Sequence, residues 1–358
     1  MTKTILLSAG GTGGHFFPAI ALTDELKKSG CNIHLITDKR CEKYLNSEMQ
    51  IDHNIVDLHI KTSGIMNKIK SAFQLITACI KTLFLLMRIK PDAVIGFGGY
   101  PTFPSLLAAK TLHIPIILQE QNCFLGKSNR FFASGAKLIA LAYPETDNID
   151  DKLKEKITIT GDIVRSSIKK LPKKKSFDSK EFNLFIFGGS QGAKIFSSLI
   201  PEAIELLLAK NPNIQLSITQ QASLEHQEEL TERYSKLGIK HELSDFFHNM
   251  HEIYHNSQLV VSRSGASTIA ELASIGLPAI FIPYPHAAED HQYFNAKAIA
   301  DSGASWYLRQ NDASAEALSE KLAELITDRT LLKNASKNLA TRKNDGAKNL
   351  ADTVLKII

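Results

Sequence analysis

The sequence predicts two α/β domains, each a parallel sheet wrapped by helices. Three observations carry that expectation. Apolar runs of strand length alternate with helix-length segments through both halves of the chain. A glycine-rich turn of one design closes such a run in each half: Gly10-Gly11-Thr12-Gly13-Gly14-His15 follows Ile5-Leu6-Leu7, and Gly188-Gly189-Ser190-Gln191-Gly192-Ala193 follows Leu184-Phe185-Ile186-Phe187. The length, 358 residues, suffices for two cores. A strand, a glycine turn and a helix start leave backbone N–H groups and the positive end of a helix dipole available to an anion. The pair of turns therefore predicts two similar domains facing each other across a cleft that handles phosphates.

Strands are expected in the first half at 4–9, 32–37, 93–96, 114–119, 137–140 and 157–160, and helices at 18–29, 66–90 and 103–112. Pro18 suits a helix start, because its missing N–H is not needed there. In the second half strands are expected at 183–187, 215–219, 259–262 and 279–282. Helices there are expected at 193–210, 225–237, 266–275 and 291–302, and the chain from about 313 onward reads as helical. Such alternation implies parallel sheets with ligands beyond the carboxyl ends of the strands, where the glycine turns lie. The domain boundary is expected within 161–172.

Composition narrows the class. Hydrophobic residues make up 44% and charged residues 22% of the chain, the balance of a soluble globular protein. Met1-Thr2-Lys3 runs straight into a strand, without the apolar stretch and cleavage site of a signal peptide. Cys31, Cys41, Cys79 and Cys123 are scattered, with neither C-x-x-C nor zinc spacing, and are expected as reduced thiols of a cytosolic protein. The net charge of +5 is mild. Lys169, Lys170, Lys173, Lys174 and Lys175 cluster without an RNP, zinc-finger or helix-turn-helix pattern, so a solvated loop is expected and no nucleic-acid partner.

Glycine turns raise the dinucleotide-binding reading, whose fingerprint is G-x-G-x-x-G. From Gly11 the chain reads G-T-G-G-H-F, so the last glycine is missing, although Asp38 stands where a ribose-binding acid would. The Walker pattern fails at both turns. A third informative stretch is Ser262-Arg263-Ser264-Gly265-Ala266-Ser267-Thr268-Ile269-Ala270-Glu271, after the strand Leu259-Val260-Val261. It offers hydroxyls and N–H groups at another helix start. Glu271 in the early turns either accepts two hydrogen bonds from a ribose diol or makes a favourable contact with the helix dipole. The string from His286 to His291, H-A-A-E-D-H, has metal-ligand residue types, but no third cluster and no D-x-D support it, so a sugar-contacting loop is expected and no metal or cofactor.

Taken in order, "GGTGGHFFPA" at 10–19, "GFGGYPTFP" at 96–104, "QEQN" at 119–122, "GGSQGA" at 188–193, "SRSGASTIAE" at 262–271 and "PYPHAAEDHQYFNA" at 283–296 resemble the MurG family of bacterial peptidoglycan N-acetylglucosaminyltransferases. The resemblance runs from residue 5 to about 300. It implies a GT-B glycosyltransferase fold of two Rossmann-like domains facing an interdomain cleft. The acceptor and membrane-binding domain would be 1–161, with a C-terminal helix at about 341–358 packing back on it, and the donor domain 162–340. It also implies transfer of GlcNAc from UDP-GlcNAc to the 4-hydroxyl of MurNAc in undecaprenyl-pyrophosphoryl-MurNAc-pentapeptide (lipid I), giving lipid II with inversion. A sugar-nucleotide epimerase on the same fold, and a scaffold that only binds the nucleotide, are the alternatives.

Carried over by position, the resemblance puts Ser190 and its turn on the UDP diphosphate, with Ala266, Ser267, Thr268, Ile269, Ala270 and Glu271 along the nucleotide and Glu271 on the ribose. Phe246 and Phe247 frame the uracil with Arg165 close by, and His291 and Gln292 contact GlcNAc. Thr12, Gly13, Gly14 and Asn122 add to the donor side, while His15, Tyr100, Glu120 and Asn129 line the acceptor side. Two departures stand out: Asp162-Ile163 replaces the usual Asn-Pro before Val-Arg, and Gln119 replaces a histidine. His15 is the expected general base, since an imidazole titrates near neutrality, with acceptor-phosphate binding or helix capping as its other reading; Glu120 is the second choice of base. The stretch 65–90, IMNKIKSAFQLITACIKTLFLLMRIK, combines apolar residues with Lys68, Lys70, Lys81, Arg88 and Lys90. It reads as too short and too charged to span a bilayer, with more apolar surface around 83–87 than one packed face can bury. Peripheral binding to an anionic surface at the cytoplasmic face of the cell membrane is therefore expected.

Overall fold

The computed structural model describes residues 2–358 except 43, 46–50, 57, 59–63, 174–175, 190–192 and 343–344. The chain falls into two compact units, Met1–Arg165 together with Asp345–Ile358, and Ser166–Asn344. Both are doubly wound α/β folds.

The first unit runs β1 (Thr4–Ser8), α1 (Gly13–Lys28), β2 (Asn32–Thr37), α2 (Lys39–Glu42), β3 (Asp52–Ile55), α3 (Ile65–Ile89) and β4 (Ala93–Gly96). It continues through α4 (Phe103–Thr111), β5 (Ile116–Glu120), α5 (Lys127–Ala133), β6 (Leu138–Leu141) and β7 (Ile157–Ile159). Its seven strands lie in the order β3-β2-β1-β4-β5-β6-β7, every pair parallel. Alternation along the strands splits the core. Ile5, Leu7, Ile95 and Ile117 face Phe16 and Leu22 of α1 and Leu350 and Val354 near the C-terminus. Leu6, Val94, Ile116 and Leu118 face Leu86 of α3, Leu106 of α4 and Phe132 of α5. Both faces are covered, so the strands read as unbroken apolar runs.

The second unit runs α6 (Ser166–Lys169), β8 (Phe182–Phe187), α7 (Phe196–Lys210), β9 (Leu216–Gln221), α8 (Leu224–Lys236), β10 (Lys240–Ser244) and α9 (Met250–Asn256). Then come β11 (Leu259–Ser262), α10 (Ala266–Ile275), β12 (Ala279–Phe281), α11 (His291–Asp301), β13 (Trp306–Tyr307), α12 (Ala315–Thr327) and α13 (Arg329–Ala340). The last helix, α14 (Gly346–Ile357), returns to the first unit and packs on α1. The second sheet has the order β10-β9-β8-β11-β12-β13 and is also wholly parallel.

In each sheet the strand order reverses next to the first strand, between β1 and β4 and between β8 and β11. The crevice at such a switch point is where open α/β sheets take ligands. Each quoted glycine or serine-glycine motif follows one of these four strands.

Two expectations need correction. Helix α1 begins at Gly13, not Pro18: Thr12 is the extended residue ahead of it (φ −148°), and the N–H groups of His15 and Phe16 both reach its carbonyl. Pro18 sits inside the helix at the cost of one backbone hydrogen bond. Gly13, Gly14 and His15 thus form the first turn. In α3, residues 66–89 are long and apolar enough to cross a membrane by length and composition, against the expectation of a segment too short to span. Ser71, Ala78, Thr82 and Leu86 are buried on one face of α3, which packs against α4.

Candidate active site

In the first unit the β1 turn is clamped by a buried carboxylate. Gly11, at φ +91°, donates its N–H to Asp38 Oδ1 at 3.1 Å. Asp38 also receives Arg40 Nε at 2.7 Å, and the Arg40 guanidinium lies 4.9 Å from the centre of the Tyr100 ring. Asp38 is 2% exposed and works as an internal brace of the turn, which removes the ribose-acid role it would have in a dinucleotide fold. Thr12 Oγ1 and His15 Nδ1 are 3.2 Å apart, so the half-buried imidazole is oriented from within its own helix turn. The ring lies along the turn after β4. A Cβ on Gly98 (φ +84°) would stand 3.6 Å from His15 Nε2 and 3.3 Å from Asn129 Nδ2. Only glycine combines that backbone angle with that double approach.

Glu120 ends β5 and is 2% exposed. Its Oε1 accepts the Asn122 N–H (3.1 Å) and Asn122 Nδ2 (2.8 Å); its Oε2 accepts the Gly126 N–H (3.1 Å) and Asn129 Nδ2 (2.9 Å). A carboxylate has about four acceptor positions, and these donors fill them. Burial pushes its carboxyl above the usual range, and the four N–H groups oppose that shift. The arrangement suits holding the 120–126 loop and α5 together rather than taking a proton. Gln119, on the opposite face of the strand, is fully buried, and neither end of its amide has a hydrogen-bond partner among the described residues. Arg165 lies with its guanidinium 4.6 Å from the Phe17 ring centre. Asp162, which stands where the family usually has Asn, is buried, and its carbonyl receives the Gly346 N–H at 3.0 Å.

In the second unit Ser190 lies outside the described residues, as do Gln191 and Gly192. The turn's entry is set by Gln221 at the end of β9, which accepts the Gly188 N–H at 3.1 Å and donates to the Asp245 carbonyl at 3.0 Å. Directly after Asp245, Phe246 is 47% exposed while Phe247 is buried edge-on against Phe185. The Phe246 ring meets His248 edge-on with ring centres 4.8 Å apart, and an exposed ring held in this way offers a face on which a planar base can stack. Glu271, in the second turn of α10, is only 4% exposed, and its Oε2 accepts the Tyr254 hydroxyl at 3.2 Å.

The starts of α10 and α11 are stitched together. Ser264 Oγ donates to the Gln292 carbonyl (2.7 Å), Asn295 Nδ2 donates to the Ser264 carbonyl (3.1 Å), and Gln292 Oε1 accepts the Tyr284 N–H (3.0 Å). Arg263 is buried, and burial lowers its guanidinium to about 10. It donates to the Ile282 and Pro283 carbonyls and to Gln310 Oε1. His291 Nδ1 meets the Ala288 carbonyl at 2.7 Å, and Asp290 pairs with Arg309 at 2.8 Å. Among the described residues no three His, Cys, Asp or Glu side chains gather as metal ligands.

Sequence reading missed Gln221, Tyr254 and Arg40, and weighed Asp38 only as a ribose-binding acid. Tyr254 sits in a short helix without apolar periodicity, and nothing in the chain marks it as Glu271's partner. Asp38 carried a signal, an acid just after a strand, but the fold turns it inward.

Residues 5–141 match the glycosyltransferase family 28 N-terminal domain, and residues 183–350 match the family's C-terminal domain. A relative from Rickettsia bellii, called UDP-N-acetylglucosamine–N-acetylmuramyl-(pentapeptide) pyrophosphoryl-undecaprenol N-acetylglucosamine transferase, is 48% identical over 359 residues, covering 99% of this chain and 100% of its own. The crystal structure of MurG from Acinetobacter baumannii is similar with a TM-score of 0.79 at 28% identity, covering 99% of both chains. A UDP-GlcNAc 2-epimerase from Neisseria meningitidis is similar at 16% identity with a TM-score of 0.66, covering 99% of this chain and 100% of that one, a likeness of fold alone.

Proposed function

Because this chain belongs to glycosyltransferase family 28, among the UDP-N-acetylglucosamine–N-acetylmuramyl-(pentapeptide) pyrophosphoryl-undecaprenol N-acetylglucosamine transferases, we propose that it moves GlcNAc from UDP-GlcNAc to the 4-hydroxyl of MurNAc in lipid I, forming lipid II with inversion at the anomeric carbon. The observation that carries this reading is identity at nearly half of all positions along the full length of both chains. Fold alone would leave the epimerase open.

The 4-hydroxyl oxygen attacks the anomeric carbon, the bond to UDP breaks with its electron pair, and the hydroxyl proton leaves to a base. His15 is that base: the tautomer with its proton on Nδ1 donates to Thr12 and presents Nε2 as the basic nitrogen. Tyr100 lines the acceptor's place, whereas Asn129, expected there from the sequence, is fully buried and donates to the Gln119 carbonyl and Glu120 Oε2, so it braces the site rather than lining it. Glu120, rather than serving as a second base, fixes Asn122 and Asn129. On the donor side the start of α10 meets the leaving diphosphate with N–H groups and its dipole, and the Ser190 turn joins it. Glu271 holds the ribose, Phe246 stacks on uracil, and His291 and Gln292 meet the sugar. Gln292 accepts the Tyr284 N–H with its amide oxygen, and its NH₂ is the group it would offer to a GlcNAc hydroxyl.

The acceptor's lipid tail requires a membrane. Met66, Ile69, Phe73, Ile76, Ile80, Phe84 and Met87 form one stripe along α3 and are 41% to 80% exposed. Lys68, Lys70, Lys81, Arg88 and Lys90 lie along the same helix and at its end. An apolar stripe with flanking cations fits the surface of an anionic bilayer, which supports peripheral attachment at the cytoplasmic face of the cell membrane.

The test of the reaction is mass spectrometry of the mixture after incubation with UDP-GlcNAc and a short-chain lipid I analogue. The expected result is the acceptor heavier by one N-acetylhexosamine. Conversion of UDP-GlcNAc to an isomer without acceptor, or no product, overturns the reading.

A further inference from the structure

The ribose reading of Glu271 leaves a question of how a carboxylate that is 96% out of solvent keeps the orientation a diol needs. The answer lies in α9. Tyr254 is wholly buried, and its hydroxyl donates to Glu271 Oε2 at 3.2 Å. The tyrosine ring is itself fixed. It meets Phe185 edge-on with ring centres 5.9 Å apart. The same Phe185 ring meets Phe247 edge-on at 5.8 Å and stacks on Phe187 at 5.7 Å. One buried aromatic ring therefore braces both Tyr254, which holds the ribose carboxylate, and Phe247, the chain neighbour of the exposed Phe246. Tyr254 meets one of the two carboxylate oxygens, Oε2, and so sets the plane in which the carboxylate meets a diol.

We propose that Tyr254, backed by Phe185, is a positioning residue that aims the Glu271 carboxylate at the 2′- and 3′-hydroxyls together, and so makes the donor site select a ribonucleoside diphosphate over its 2′-deoxy counterpart. This rests on the reading of Glu271 as the ribose ligand. A carboxylate held by a buried hydroxyl is set for a diol before the nucleotide arrives, and no freedom is lost on binding. Without the hydroxyl the carboxylate rotates, its bidentate fit to the diol loosens, and a single remaining hydroxyl is received almost as well as two. The coupling runs through the short segment that carries Phe246 and Phe247 into α9, so base and sugar are recognised by one packed unit.

The experiment is calorimetric titration of the full chain with uridine diphosphate and with 2′-deoxyuridine diphosphate, comparing wild type, Tyr254→Phe, Glu271→Gln and the double variant. Wild type is expected to prefer the ribonucleotide. Tyr254→Phe is expected to lower affinity for uridine diphosphate by about 3- to 10-fold, the scale of one hydrogen bond, while affinity for the deoxy compound stays within about twofold. In the Glu271→Gln background the same change is expected to add nothing, because the group it positions is gone. Phe185→Leu, which keeps both hydrogen-bonding groups and withdraws the brace, is expected to narrow the preference for the ribonucleotide beyond any equal weakening of both nucleotides through Phe247. It keeps the proposal testable if Tyr254→Phe folds poorly. Equal weakening of both nucleotides by Tyr254→Phe overturns the proposal, as does unchanged discrimination in both single variants. A wild type that binds the two nucleotides alike, with Glu271→Gln no weaker, overturns the ribose reading of Glu271 itself.

Discussion

At the scale of single residues, chemistry follows from which atoms are already spoken for. His15 is the third residue of α1, with Nδ1 engaged by Thr12. His15→Ala should lower kcat by roughly 10²–10⁴, the usual span for a general base, with UDP affinity by calorimetry unchanged. A loss confined to KM for the lipid acceptor would assign the imidazole to phosphate binding instead. Glu120 gives the opposite lesson. It has the residue type of a base, but all its acceptor positions are used inside the fold. Glu120→Gln would set an NH₂ group against two N–H donors and should cost about 2–4 kcal/mol of stability in urea unfolding, the scale of buried donors left unmatched. A variant as stable as wild type would remove the bracing role.

At the scale of elements, two helices carry consequences. The five-residue run at 83–87 is not apolar on every exposed side: Leu86 is buried, Leu83 and Leu85 pack half-buried against the core, and Phe84 and Met87 face outward. The substitutions that probe the membrane surface without touching the core are therefore Phe73→Glu with Phe84→Glu, at 71% and 63% exposure. Wild type should float with anionic liposomes and this variant should stay behind with unchanged circular dichroism; equal behaviour of the two rejects the surface. Helix α14 depends on its first residue. A Cβ on Gly346 would lie 2.3 Å from the Gly161 carbonyl oxygen and 2.6 Å from that of Asp162. The Gly346 N–H and the Asn349 side chain bind that same strand exit, at the Asp162 and Thr160 carbonyls. Gly346→Ala should lower stability by about 1–3 kcal/mol in thermal unfolding, the cost of overpacking, as α14 is pushed off α1.

For the molecule as a whole, the reaction needs charge stabilisation at a departing diphosphate. The chain has no D-x-D to hold a metal there, and the proposed function gives that task to helix starts with fixed N–H groups. Product formation should persist in EDTA and gain nothing from Mg²⁺ or Mn²⁺. Activity that disappears in EDTA and returns with either ion would reject this.

The sequence by itself determined the two α/β units and the strands that bear the ligand turns. Central parallel strands are covered on both faces, and an apolar run is the direct trace of that burial. It did not reveal β3, β10 or β13. These are edge strands, two of them polar (Asp-His-Asn-Ile and Lys-His-Glu-Leu-Ser) and one only two residues long, held by pairing to a neighbour rather than by their own pattern. The motifs at 10–15, 96–104, 262–271 and 283–296 were legible because backbone geometry at a switch point demands glycine and small polar residues in local order. What only the tertiary structure decided is which side chains are partners. Tyr254 with Glu271, Gln221 with Gly188 and Asp38 with Gly11 lie 17, 33 and 27 positions apart. A hydrogen bond across such a separation is made by strand order and helix packing, and no local pattern encodes it.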